Sequence, residues 1–152
     1  MTEYENLLLE AEGNNLITKE KPLQAHKGRI VGNRIAIKKD LTEVEKKCIM
    51  AEELGHYYTG CGDILDQSSV ANRKQERYGR VHAYNRLVGL IGLIDVYKHH
   101  CESLYDAAEH LHVSEDFLAE SISYYRSKYG VCTTVDNYVV YFEPHIGVLE
   151  LK

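Results

Sequence analysis

The sequence predicts an α+β fold, in which a short helix and a β-hairpin precede several helices and two closing strands. Residues 29–37 form two apolar, β-branched runs on either side of a central Gly-Asn pair, which is the pattern of a hairpin with a two-residue turn. Thr42 followed by Glu45 is a capping-box signature. It predicts a helix from about residue 43 to residue 58.

The remaining elements follow from helix caps and glycine breaks. Ser68 or Ser69 can cap a long helix that reaches about residue 86, and Gly89 interrupts the helical pattern. The other segments that we expect to be regular are helices at residues 3–12, 91–99, 104–111 and 115–129, and strands at residues 138–142 and 148–151.

Composition narrows the class of protein. The chain of 152 residues is long enough for one domain with a buried core, and its 44% apolar and 27% charged residues are typical of a globular protein. The net charge of −5 argues against general nucleic-acid binding. We expect no membrane span, because no apolar run approaches roughly 20 residues. The acidic start without a secretory signal and the four dispersed cysteines lead us to expect a cytoplasmic protein.

The stretch AEELGHYYTG, residues 51–60, contains the main candidate for chemistry. Glu52 and His56 are four residues apart, so both project from one face of the predicted helix. Glu53 lies about 100° further around the helix, beside any ion that the other two would hold. Glu76, in the next predicted helix, is the candidate third ligand. Two ligands on one helix, a third on the next and a neighbouring carboxylate that can take a proton from water are what a metallopeptidase needs.

The same residues also have an ordinary structural interpretation. Glu52 and His56 could be a solvated acid and a surface or capping histidine, and Glu76 could pair with Arg80 one turn later. The spacing alone does not decide between the two interpretations.

The wider sequence KKCIMAEELGHYYTG…NRKQERYGRVHAYNRLV resembles the ImmA/IrrE family of metallopeptidases. That family has HELGH on one helix and E-x-x-A-x-x-F-A on the next. Residues 53–56 match the last four positions of the first motif, and Glu76, Gly79, His82 and Ala83 occupy the second. The resemblance implies that His56 and Glu76 are metal ligands and that Glu53 is the catalytic acid and base.

Two positions depart from the family pattern. Glu52 stands where a ligand histidine is expected, and His82 stands at an aromatic position. A carboxylate can bind zinc at ~2.0–2.2 Å, so Glu52 is compatible with a site. Two carboxylates and a neutral imidazole, however, cancel the charge of a divalent ion, whereas two imidazoles and one carboxylate leave one positive charge. The altered set should activate water less and favour harder ions such as Mn²⁺.

Other histidines are weaker candidates. His82 lies six residues after Glu76, about 240° around the helix, and we expect it to pack in an aromatic slot. The His99-His100-Cys101 run could indicate a metal site, but adjacent residues diverge on a helix. Interaction of the imidazoles with a helix C-terminus is the favoured explanation.

The resemblance implies a zincin-like minimal metallopeptidase domain over residues 1–152, with a metallopeptidase-like core at 1–100 and a helical segment with a C-terminal β-hairpin at 101–152. The implied ion is Zn²⁺, Mn²⁺ or another divalent ion on Glu52, His56 and Glu76. The implied activity is cleavage of a helix-turn-helix repressor of a phage or mobile element in a bacterial host cell.

The alternative is a weak or inactive relative that inhibits the repressor by binding it. We expect no membrane partner. We also expect no direct DNA binding, because the acids that begin helix 115–129 would face phosphates.

Overall fold

Helices and strands follow the predicted order, with two strands in addition. The computed structural model describes residues 1–60 and 70–152, with side chains for 1–60 and 73–152. The predicted cap at Ser68 or Ser69 lies outside the described residues. The described elements are α1 (Glu3–Gly13), β1 (Ile17–Lys21), β2 (Gly28–Val31), β3 (Arg34–Lys38), α2 (Glu43–Tyr58), α3 (Val70–Leu87), α4 (Gly89–Lys98), α5 (Leu104–Leu111), α6 (Glu115–Tyr129), β4 (Cys132–Val135), β5 (Tyr138–Tyr141) and β6 (Gly147–Glu150). The α+β prediction is confirmed.

The chain divides into two compact units, residues 1–83 and 84–152. The first unit contains α1, the sheet β1–β3, α2 and most of α3. The second contains α4–α6 and the sheet β4–β6. The prediction of one domain, divided at residue 100, stays a prediction.

The sheet of the first unit has the strand order β1-β3-β2. β2 and β3 form the predicted antiparallel hairpin, in which Ile30 lies opposite Ile35 and Gly32 in the turn adopts a φ of 59°. Ile30, Ile35 and Ile37 are buried, and α2 packs against β2 and β3. β1 joins β3 in parallel and was not predicted. It is a mostly exposed edge strand rich in charge, as edge strands often are, so it lacks the apolar alternation that reveals a half-buried strand.

Helix α2 begins at the predicted capping box. The hydroxyl of Thr42 accepts a hydrogen bond from the backbone N–H of Glu45 at 3.2 Å, and the Glu45 carboxylate accepts one from the backbone N–H of Thr42 at 3.2 Å. Loss of such a cap costs about 1 kcal/mol. After Tyr58 the chain leaves the helix through Gly60, whose φ of 78° is readily adopted by glycine. The start and end of α2 fix which residues face inward.

The second unit packs α4 and α6 against the sheet β4-β5-β6. Tyr125 and Phe142 are among its fully buried side chains. The Tyr125 hydroxyl donates to Asn85 at 2.9 Å and accepts from the backbone N–H of Gly89 at 3.1 Å, which stabilises the break between α3 and α4. Two closing strands, β5 and β6, were expected. A third strand, β4, pairs with β5 through a turn in which Asp136 has a φ of 52°.

No helix within residues 1–60 and 70–152 is both long and apolar enough to cross a membrane.

Candidate active site

Helix α2 directs Glu53 and His56 to its buried face. Their exposed fractions are only 6% and 4%, which is unusual for ionisable side chains. Glu52 precedes them and is half-buried. The amphipathic pattern of α2 is therefore interrupted by acids and a histidine where it meets the interior of the first unit.

Helix α3 supplies the partner of His56. Nε2 of His56 lies 3.1 Å from Oε1 of Glu76, and the side chain of Glu76 is 21% exposed. Nε of Arg80, one turn further along α3, lies 3.7 Å from the same carboxylate oxygen. The ordinary interpretation of Glu76 as a partner of Arg80 is thus correct, but incomplete, because Glu76 also reaches His56.

Two glycines allow α2 and α3 to approach so closely. A Cβ atom at Gly79 would lie less than 3.0 Å from Nδ1 of His56, and one at Gly55 would lie less than 3.0 Å from the carbonyl oxygen of Gly79. Real Cβ atoms do not occupy such positions, so neither site accepts alanine without movement. Gly79 was predicted to belong to the second motif, but its role in the helix crossing was not predicted. A glycine one turn after Glu76 was the signal that the sequence offered for this role.

His82 follows on α3 and packs on an aromatic ring, as the sequence predicts. Its ring centroid lies 5.4 Å from that of Tyr58.

Burial and neighbouring charge perturb Glu53. Burial raises the pKa of its carboxyl to about 8, His56 opposes the rise, and the negative charges of Glu52 and Glu76 add to it. A bound cation would act in the opposite direction and lower this pKa. Three acids around one imidazole make a site that favours a cation.

His56 responds to the same acids. Burial alone would lower its pKa, but the hydrogen bond to Glu76 and the charges of Glu53, Glu76 and Glu52 outweigh burial and raise it. His56 and Glu76 therefore form a charge-assisted pair when no cation is bound. A metal ion requires the neutral imidazole, so its binding would release a proton.

The donor atoms of His56 and Glu76 fit a divalent ion. Their 3.1 Å separation is near the roughly 3.3 Å expected for two ligand atoms around tetrahedral zinc. Nδ1 of His56 is buried, without a hydrogen-bond partner among the described residues. Ligand histidines usually donate from their second nitrogen, so the absence of such a bond should weaken affinity.

Glu52 stands apart from the other two members of the predicted ligand set. It is close enough to influence the pKa values of both Glu53 and His56. In the part of the chain that the structure describes, however, the ligand atoms of Glu52, His56 and Glu76 do not all lie within 4.8 Å of one another. Its side chain would have to rotate to complete the site, and its role as a ligand stays a prediction.

Comparison with known proteins identifies the family of the chain. The family model described as the IrrE N-terminal-like domain, Peptidase_M78, matches residues 10–123. The matched region contains both motif helices and all four candidate residues. No curated protein matches the chain significantly. The family is one of metal-dependent peptidases, and its model covers well over half of the 152 residues. The chain therefore belongs to the ImmA/IrrE family and has a metallopeptidase-like fold.

Proposed function

We propose that this protein is a metal-dependent endopeptidase that cleaves a helix-turn-helix repressor of a phage or mobile element and so acts as an anti-repressor. The observation that supports this most is the contact of His56 with Glu76 across two helices, beside the buried carboxyl of Glu53. A hydrogen-bonded pair of ligand types next to a candidate general base is an uncommon arrangement for a purely structural helix contact.

Each residue has a defined task in this proposal. His56 and Glu76, with Glu52 after rotation, would hold Zn²⁺, Mn²⁺ or another divalent ion. Such an ion supplies Lewis acidity, which polarises the scissile carbonyl and makes water more acidic. Glu53 accepts the proton of the attacking water and then donates it to the leaving amine. The Gly55–Gly79 crossing holds the His56 ring in position.

The sheet supports a peptide as the substrate. β2 is an edge strand, and its Gly28 lies beside Glu53: a Cβ atom there would be 3.2 Å from the Glu53 carboxylate. The backbone of an edge strand can pair with an extended peptide, which would run past Glu53. A polypeptide fits this position better than a compact small molecule does.

The alternative function is inhibition of the repressor by binding alone. Glu52 in place of a histidine motivates it, because the less positive centre activates water less. The same partner class is proposed for both functions, in the cytoplasm of a bacterial host. The net charge of −5 and the acidic first turn of α6 argue against direct DNA binding.

The test is incubation of the zinc-loaded protein with candidate repressors, followed by mass spectrometry of the products. Parallel samples contain a chelator, the variant Glu53→Gln, or the matched variant Glu12→Gln, which changes an exposed glutamate on α1. Fragments that need metal and Glu53 but not Glu12 support the peptidase. A stable complex without fragments supports the binding alternative. If no repressor tested gives either fragments or a complex, both proposed functions are contradicted.

A further inference from the structure

A second group of metal-ligand side chains lies in the unit of residues 84–152. Asp95 is on α4, His99 is the C-cap residue that follows α4, and His110 is on α5. One ligand atom from each residue lies within 4.8 Å of the other two. None of these residues takes part in the candidate active site, so the inference below does not depend on the proposed peptidase activity.

The packing of α4 with α5 brings the three residues together. Asp95 and His99 are four residues apart and share a face at the end of α4, and His110 occupies the last turn of α5. Nε2 of His110 lies 2.8 Å from one carboxylate oxygen of Asp95, and Nδ1 of His99 lies 3.4 Å from the other. The two imidazole rings are 4.1 Å apart between centroids.

We propose that Asp95, His99 and His110 form a second divalent-metal site, of the kind that takes zinc or a similar imidazole-preferring ion. Two imidazoles and one carboxylate are a common three-ligand set for such ions. The separations of 2.8 and 3.4 Å between Asp95 and the two imidazoles bracket the roughly 3.3 Å expected between ligand atoms around tetrahedral zinc.

The surroundings leave room for the remaining ligands. The side chains are 47%, 57% and 26% exposed in the order Asp95, His99 and His110, so water can complete the coordination. An ion here would bridge α4 to α5. Hydrogen bonds explain part of the arrangement, since Nδ1 of His99 also lies 3.1 Å from the carbonyl oxygen of Asp95 at the helix end. A second hydrogen bond holds the His110 ring on the same carboxylate, tilted at 36° to the His99 ring, so an ion entering the cluster would replace these hydrogen bonds with metal bonds.

The test is titration of the full-length protein with Zn²⁺ against a chromogenic competing chelator. It compares the parent with His99→Ala, His110→Ala, Glu76→Gln and the matched control His145→Ala, which removes an exposed histidine elsewhere in the same unit. Removal of a ligand should weaken one zinc site by at least about tenfold, because even outer-shell changes cost 10–100-fold. We expect this loss in both His99→Ala and His110→Ala, and not in His145→Ala.

Zinc binding by His99→Ala and His110→Ala that equals that of the parent would overturn the proposal, even if Glu76→Gln loses zinc. If the two histidine variants lose a zinc site that Glu76→Gln retains, the Asp95–His99–His110 site is supported. This holds whether or not the protein is a peptidase. Circular dichroism checks the fold. If His110→Ala does not fold, the zinc titration of His99→Ala decides the question, because His99 is the more exposed of the two histidines.

Discussion

Nε2 of His56 on α2 lies 3.1 Å from Oε1 of Glu76 on α3, although nineteen residues separate them in the chain. The contact depends on a helix crossing at Gly55 and Gly79, where no Cβ atom fits. A hydrogen bond between the same two side chains could be purely structural. The buried acid Glu53 beside them is what makes a hydrolytic site the better explanation.

Glu53→Gln should abolish proteolysis while it leaves the fold intact. The amide has nearly the same shape but cannot accept the proton of the attacking water, and loss of a general base costs on the order of 10²–10⁴ in rate. The measurement is the initial rate of fragment release, with circular dichroism to check folding. Cleavage at the parental rate would show that Glu53 is not the base.

Gly79→Ala should destabilise the protein, although alanine normally favours a helix. Its methyl group would overlap the His56 ring, and such overpacking costs about 1–3 kcal/mol. The matched control is Gly92→Ala on α4, where the nearest side-chain atom is 3.5 Å from the new Cβ. That variant should gain up to ~1 kcal/mol.

Urea unfolding of both glycine variants gives the free energies of unfolding. Zinc titration of Gly79→Ala should also detect weaker binding, because the ring of His56 has moved. Equal stabilisation of the two variants would contradict the close crossing.

Glu52→His should raise zinc affinity. The substitution replaces a carboxylate by a neutral imidazole and restores the donor set of two histidines and one glutamate, which zinc favours over the altered set. Competition with a chelator compares the mutant with the parent. If affinity is unchanged within error, Glu52 does not contact the ion and its assignment as a ligand is wrong.

The ion pair between Glu20 on β1 and Lys46 on α2 should make stability depend on pH. The 2.8 Å hydrogen bond from Lys46 holds the pKa of Glu20 below its usual 4.5. A lowered pKa stabilises the fold at pH values above the unfolded pKa, and this contribution is lost as pH falls through the folded pKa. Glu20→Gln should therefore lower the free energy of unfolding at pH 7 but not near pH 2.

The effect should be less than about 1 kcal/mol, because the carboxylate is 38% exposed. Urea unfolding at the two pH values measures it. Lys46→Met should show the same pH dependence, and a destabilisation of Glu20→Gln that is equal at both pH values would exclude the ion pair as its cause.

Local signals explain what could be predicted from the sequence. The capping box of Thr42 and Glu45 and the Gly-Asn turn act within a few residues, so α2 and the β2–β3 hairpin were predicted with nearly correct ends. Spacing made Glu76 a candidate partner of His56 but did not decide between a metal ligand and a surface residue, and the family resemblance favoured the ligand. Strand β1 was not predicted, because its pairing with β3 depends on the rest of the sheet and its own polar sequence carries no strand pattern.

Tertiary packing explains what could not be predicted. The Gly55–Gly79 crossing was not predicted, because a glycine within a helix does not by itself indicate which other helix packs against it. The Asp95–His99 spacing was visible in the sequence, but His110 joins it only through the packing of α5 on α4. His99 was predicted to interact with a helix C-terminus. Its contact with the carbonyl oxygen of Asp95 agrees with that prediction, although this contact accounts for only part of the cluster.

The most direct test of the proposed metal site is anomalous X-ray diffraction at the zinc edge from crystals of the full-length protein grown with Zn²⁺. The proposed site predicts a peak bonded to Nε2 of His56 and a carboxylate oxygen of Glu76, at about 2.0–2.2 Å from each, with Glu53 beside the ion and not bonded to it. It would be contradicted by zinc that binds only elsewhere while His56 and Glu76 remain hydrogen-bonded to each other.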